Sequence, residues 1–99
     1  MKNIQGKSLS VEDAQGIATE ALLQLSRDPE QIGRFLAFSG IGPDVIREAA
    51  GEPGFLAGVL EFYMADETLL LSFCENAGFR PTMIAAARFA LSGGEQDHA

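Results

Sequence analysis

The stretch Cys74-Glu-Asn-Ala-Gly-Phe-Arg-Pro-Thr-Met-Ile-Ala-Ala-Ala-Arg-Phe-Ala-Leu91 decides the fold. An apolar helix end runs into Gly78, then an apolar Phe79, a spacer at Arg80, and Pro81 at the head of an alanine-rich run. Glycine ends a helix by taking the left-handed conformation, and proline is pre-set for the first helical position. The stretch therefore predicts two helices joined by a tight corner. The same order of residues has a second reading, as a helix-turn-helix that reads DNA. Such a unit needs Arg, Lys, Asn or Gln near the start of its second helix, to reach base edges. Here that helix begins Pro81-Thr-Met-Ile, with Arg80 just before it and Arg88 two turns in. The corner is the reading we adopt.

The corner occurs twice. Gly40-Ile-Gly-Pro-Asp-Val-Ile46 repeats the order of Gly78-Phe-Arg-Pro-Thr-Met-Ile84. In both, a glycine ends one helix, the next apolar side chain plugs the corner, and proline restarts the chain. The remaining helices follow from their own signals. Ser10 is an N-cap, with Glu12 and Asp13 in the first turn, and Val11, Ala14, Ile17, Ala18, Ala21, Leu22 and Leu25 recur at helical spacing. Asp28 caps a second helix. Pro29 takes its first position, Gln31 stands where it completes a capping box, and Ile32, Phe35, Leu36 and Phe38 form its stripe. Pro43 opens a short third helix with Val45, Ile46 and Ala49 inward, ended by Gly51. The fourth runs from Pro53 to Ala65, and the fifth from a cap at Asp66 to Ala77. Both are apolar on most sides, which predicts that they form the centre of the fold. The sixth runs from Pro81 to about Leu91. No stretch alternates with period two, so no strand is expected. The predicted fold is all-α, a compact orthogonal bundle of about six short helices. It is one domain over residues 10–92, with flexible segments at 1–9 and 93–99.

The chain has 99 residues, 46% of them apolar, and a formal net charge of -7. That charge disfavours contact with nucleic-acid phosphates and with anionic membranes. No Lys or Arg lies between Arg47 and Arg80, whereas Glu48, Glu52, Glu61, Asp66, Glu67 and Glu75 all fall in that interval. The middle of the chain therefore presents an acidic surface, read as a solvated face or as a docking surface for a basic partner. A single cysteine fits a reducing compartment. There is no apolar signal core near Met1, and no apolar run approaches the roughly 18 residues of a membrane span. The expectation is a cytoplasmic protein.

No catalytic constellation is visible. His98 is the sole histidine and stands next to the last residue, where a general base lacks fixed geometry. Cys74 lies among Leu70, Leu71 and Phe73, the setting of a small core hydrophobe. Glu61, Asp66 and Glu67 are a conceivable cation site, but Asp66 reads as a cap and Glu67 as its dipole partner. Arg34 and Arg47 lie beside apolar positions and suit pairing with the acids of the middle segment. Phe55, Phe62 and Tyr63 read as core at helical spacing, with part of the fourth helix left for another chain. The expectation is no enzyme, no cofactor and no metal. In its place stands an interaction surface drawn from Arg34, Arg47, Phe55, Glu61, Tyr63, Asp66 and Glu67. The partner is an unknown protein or a second copy of this chain as a homodimer. The alternative is a nucleic-acid-associated regulator using the Gly78 corner.

One resemblance covers residues 12 to 91. Gly33-Arg-Phe-Leu-Ala-Phe-Ser-Gly-Ile-Gly-Pro-Asp-Val-Ile-Arg47, followed by Pro53-Gly-Phe-Leu-Ala-Gly-Val-Leu-Glu-Phe-Tyr63 and the acid pair Asp66-Glu67, resembles short helical proteins of alphaproteobacteria grouped as a domain of unknown function. The resemblance implies an all-helical fold in a bacterial cytoplasm, and it implies no catalytic residue.

Overall fold

Local signals set the helix boundaries. The computed structural model describes residues 9–93. Ser10 Oγ accepts from the Asp13 amide at 2.9 Å and opens α1, Val11–Ser26. Asp28 Oδ1 accepts from the Glu30 and Gln31 amides and opens α2, Pro29–Ser39. The Gln31 side chain does not turn back to the cap; its Oε1 accepts from Arg34 Nη1 at 3.1 Å. A 3-10 turn at Pro43–Val45 leads into α3, the single turn Ile46–Ala49. Then come α4, Pro53–Met64, α5, Glu67–Ala77, and α6, Pro81–Leu91. Asp66 Oδ1 caps α5 by accepting from the Leu69 amide at 3.1 Å. No strand occurs among the described residues, and the fold is all-α.

Both corners have the expected backbone. Gly40 and Gly78 have φ of +78° and +79°, a region costly for any residue with a Cβ. The Gly78 and Phe79 amides both donate to the Cys74 carbonyl, which returns the chain sharply into α6. At Gly40 only the glycine amide returns, to Leu36, and the Ile41 amide donates to Ser39 Oγ. The first corner thus opens into the 3-10 turn instead of a long helix, although the two sequences match.

The centre of the fold differs from the expectation. It is made by α1, α4 and α6, which pack on one another, while α5 lies at the edge, mainly against α4. The reason is size. Ala14, Ala18 and Ala21 of α1, Ala87 and Ala90 of α6 and Ala57 of α4 all belong to one buried cluster. Small side chains let three helix backbones approach closely. On α5 only Phe73 and Cys74 are buried, Leu69 and Leu70 are half-buried, and Leu71 is 47% exposed. Three consecutive leucines point in three directions, so a single core cannot take all of them.

Smaller corrections follow from the same geometry. Phe38 is 53% exposed and Val45 is also exposed, so neither belongs to an inward stripe. No side chain of the 3-10 turn or α3 is fully buried. Leu9, expected in a loose segment, is buried in the core. The other positions expected to be flexible, 1–8 and 94–99, lie outside the described residues, as does His98.

Candidate functional site

The aromatic residues other than Phe89 form one connected row. Phe55 meets Phe35 edge-on at 5.6 Å, Phe35 meets Phe62 at 5.5 Å, and Phe38 meets Phe62 at 5.3 Å. The row continues through Tyr63 to Phe73 at 4.9 Å and ends at Phe79 in the Gly78 corner. Edge-to-face pairs match the positive rim of one ring to the negative face of the next. The row ties α2 and α5 to α4, and it is mostly internal.

That placement sorts the expected surface residues. Tyr63 is 1% exposed, with its hydroxyl donating to the Ala21 carbonyl at 2.7 Å, so it leaves the proposed surface. Burial pushes its phenol well above the usual tyrosine range. Phe55 is half-buried in the row. Arg34 pairs with Asp66 at 3.7 Å and lies over the Phe62 ring at 5.8 Å, as its expected pairing with the acidic segment requires. Glu61 accepts from Arg88 Nη1 at 3.3 Å, joining α4 to α6. These are the ion pairs among the described residues. Arg47 is exposed and has none. Asp66 is occupied twice, as the cap of α5 and as the partner of Arg34. Glu67 is exposed and unpaired. Among the described residues, no group of three His, Cys, Asp or Glu side chains is arranged to hold a metal. Cys74 is buried, and desolvation pushes its thiol up, away from the reactive thiolate.

Several expected residues are thus used inside the fold, and a different face remains. Glu67, Leu71 and Glu75 stand one turn apart along the outward side of α5, all exposed. Neither carboxylate has an ion-pair partner among the described residues. The spacing of four residues was a visible signal for this face, masked by the reading of α5 as central. The second helix of the Gly78 corner, α6, buries Ile84, Ala87, Ala90 and Leu91. It turns out Thr82, Ala85 and Phe89, and its Arg88 is engaged by Glu61. No helix among the described residues is long and apolar enough to cross a membrane.

No curated protein and no solved structure matches the chain. Residues 11–94 do match one family, described as "Protein of unknown function (DUF3572)", and that span takes in the six α-helices of the described residues and both glycine corners. By that match, and in keeping with the resemblance carried by Arg34-Phe-Leu36 and its neighbours, the chain belongs to the DUF3572 family of proteins of unknown function.

Proposed function

We propose that this protein is a non-enzymatic interaction module whose outward α5 face receives a basic, amphipathic segment of another protein. One observation carries the reading: Leu71 is exposed midway between two unpaired carboxylates, Glu67 and Glu75. An apolar anchor with an acid one turn to either side complements a helix that carries an apolar stripe flanked by Lys or Arg. The same arrangement opposes a homodimer through this face, because a two-fold contact sets the patch against itself and brings like charges together. A nucleic-acid role through the Gly78 corner has less support, since the outward side of α6 has few donors for base edges.

A synthetic amphipathic peptide of Leu and Lys tests the reading, with its Leu and Glu counterpart as control. The Lys peptide is expected to bind, with affinity falling as salt rises. The double variant Glu67→Gln, Glu75→Gln and the single variant Leu71→Ala should each weaken it by about tenfold. The double variant Glu12→Gln, Glu20→Gln removes equal charge from α1 and should leave binding unchanged. Equal loss in both double variants would mean attraction to net charge alone and would overturn the assigned face. Self-association of the free protein in sedimentation, abolished by Leu71→Ala, would assign the face to a second copy instead.

A further inference from the structure

Buried side chains recur along the chain at short intervals, with one exception. Elsewhere among the described residues, successive buried residues stand at most ten positions apart, but none lies between Phe35 and Leu56. The middle of that gap is the connection from α2 to α4, residues 41–51. Within it only Ile46 and Ala50, one turn apart, pack against the core, and both are half-buried. Its hydrogen bonds are local. The Val45 amide donates to the Gly42 carbonyl, the Ala50 amide to Ile46 at 2.8 Å, and the Gly51 amide to Glu48. Among the described residues, no hydrogen bond ties the connection to α1, α4, α5 or α6, and Asp44, Arg47 and Glu48 form no ion pair. The 3-10 turn and α3 pack mainly on each other.

The two ends of the connection are held by other means. Phe35 of α2 meets Phe55 and Phe62 of α4 edge-on, at 5.6 and 5.5 Å. Those ring contacts keep α2 beside α4 whether or not the connection lies on the core. Each end also carries a glycine, Gly40 and Gly51. A hinge needs a few residues that absorb large changes in φ and ψ, and glycine does so at least steric cost. Local opening belongs to segments with few buried apolar contacts and exposed, self-contained hydrogen bonds.

We propose that residues 41–51 form a strap that lifts off the core as one unit, turning at Gly40 and Gly51, while α1, α2, α4 and α6 stay packed. Ile46 and Ala50 leave together because they stand on one face of a single helical turn. The open form bares the apolar surface beneath those two side chains, which the closed form hides. The strap is thus a conformational switch built into the α2–α4 connection. It is independent of the α5 outer face, and either proposal stands if the other fails.

The test is native-state amide hydrogen exchange of the full chain in low, rising concentrations of urea, read residue by residue in proton–nitrogen correlation spectra. Val45 and Ala50 report on the strap, and Leu22 and Leu60 on the core. The strap amides are expected to be protected, but at least about tenfold less than the core amides. Their exchange should barely respond to urea, because the response scales with the surface that opening exposes, whereas core exchange should rise steeply. Ile46→Ala removes the larger anchor and should speed strap exchange by about tenfold with little change at Leu22 and Leu60. Ala87→Leu should do the reverse, speeding core exchange and leaving the strap unchanged. Equal protection and equal urea dependence in strap and core would mean that the strap opens only with the whole molecule, and would overturn the proposal. Absence of protection at both strap amides would mean that no closed form exists, and also overturns it. So does equal acceleration of strap and core by Ile46→Ala.

Discussion

Tyr63 carries a hydroxyl into the centre of an otherwise apolar core, where it donates to the Ala21 carbonyl across the α1–α4 contact. Tyr63→Phe keeps the ring, and with it the contact to Phe73, and deletes only that hydrogen bond. We expect a loss of about 1 kcal/mol in denaturant unfolding. An unchanged midpoint would mean that the bond adds nothing net. The same residue sets an alkaline limit. The unfolded chain releases the phenolic proton near pH 10.0, while burial holds it in the folded chain to higher pH. Stability from this group is therefore fully present below that value and is lost as pH rises above it. The buried Cys74 acts in the same direction from near 9.0. The fall in unfolding midpoint between about pH 9 and 11 should be steeper in the wild type than in Tyr63→Phe.

The glycines separate two physical effects at the scale of the element. Gly78 ends α5 with positive φ, and a Cβ added there meets nothing within 4 Å. Gly78→Ala therefore costs backbone strain alone, about 1 kcal/mol. Gly33 lies inside α2 with ordinary helical geometry and the same open surroundings. Gly33→Ala removes disorder from the unfolded chain and should stabilise by about 0.4–1 kcal/mol. Melting of the two variants should move in opposite directions, and movement in the same direction would refute the left-handed assignment. Most helix ends were readable from residues for the same local reason. Ser10, Asp28 and Asp66 cap amides two or three residues ahead, and Pro29, Pro53 and Pro81 open helices, all within a span that the sequence displays directly. Packing was less readable. The Leu69-Leu-Leu71 run of α5 is more apolar than Ala85-Ala-Ala87 of α6, yet α6 is the helix in the core. Alanine signals little hydrophobicity, and its role emerges only where the alanines of α1 and α4 face it. Asp28 is visible as a cap, but that it lines one cleft with Phe73 and Asn76 of α5 is a product of the fold.

For the whole molecule, the close approach of α1, α4 and α6 is the main constraint. Ala87 is fully buried where they meet. Ala87→Leu forces extra atoms into that contact and should cost about 1–3 kcal/mol, read as a lower unfolding midpoint in urea. An equivalent enlargement at exposed Ala85 should have little effect, and comparable losses at both sites would refute the packing described for α6. The pairing of α1 with α6 also governs the order in which the molecule is made. These two helices bracket all the others among the described residues, yet they share one interface. Closing that interface requires ordering nearly the whole intervening chain, an entropic cost that cannot be recovered in instalments. The earlier helices can collapse on one another while α6 is still missing, but they leave an alanine-lined trough along α1 and α4. On a ribosome, the globule described here therefore stays unfinished until α6 emerges, with that trough still open to water.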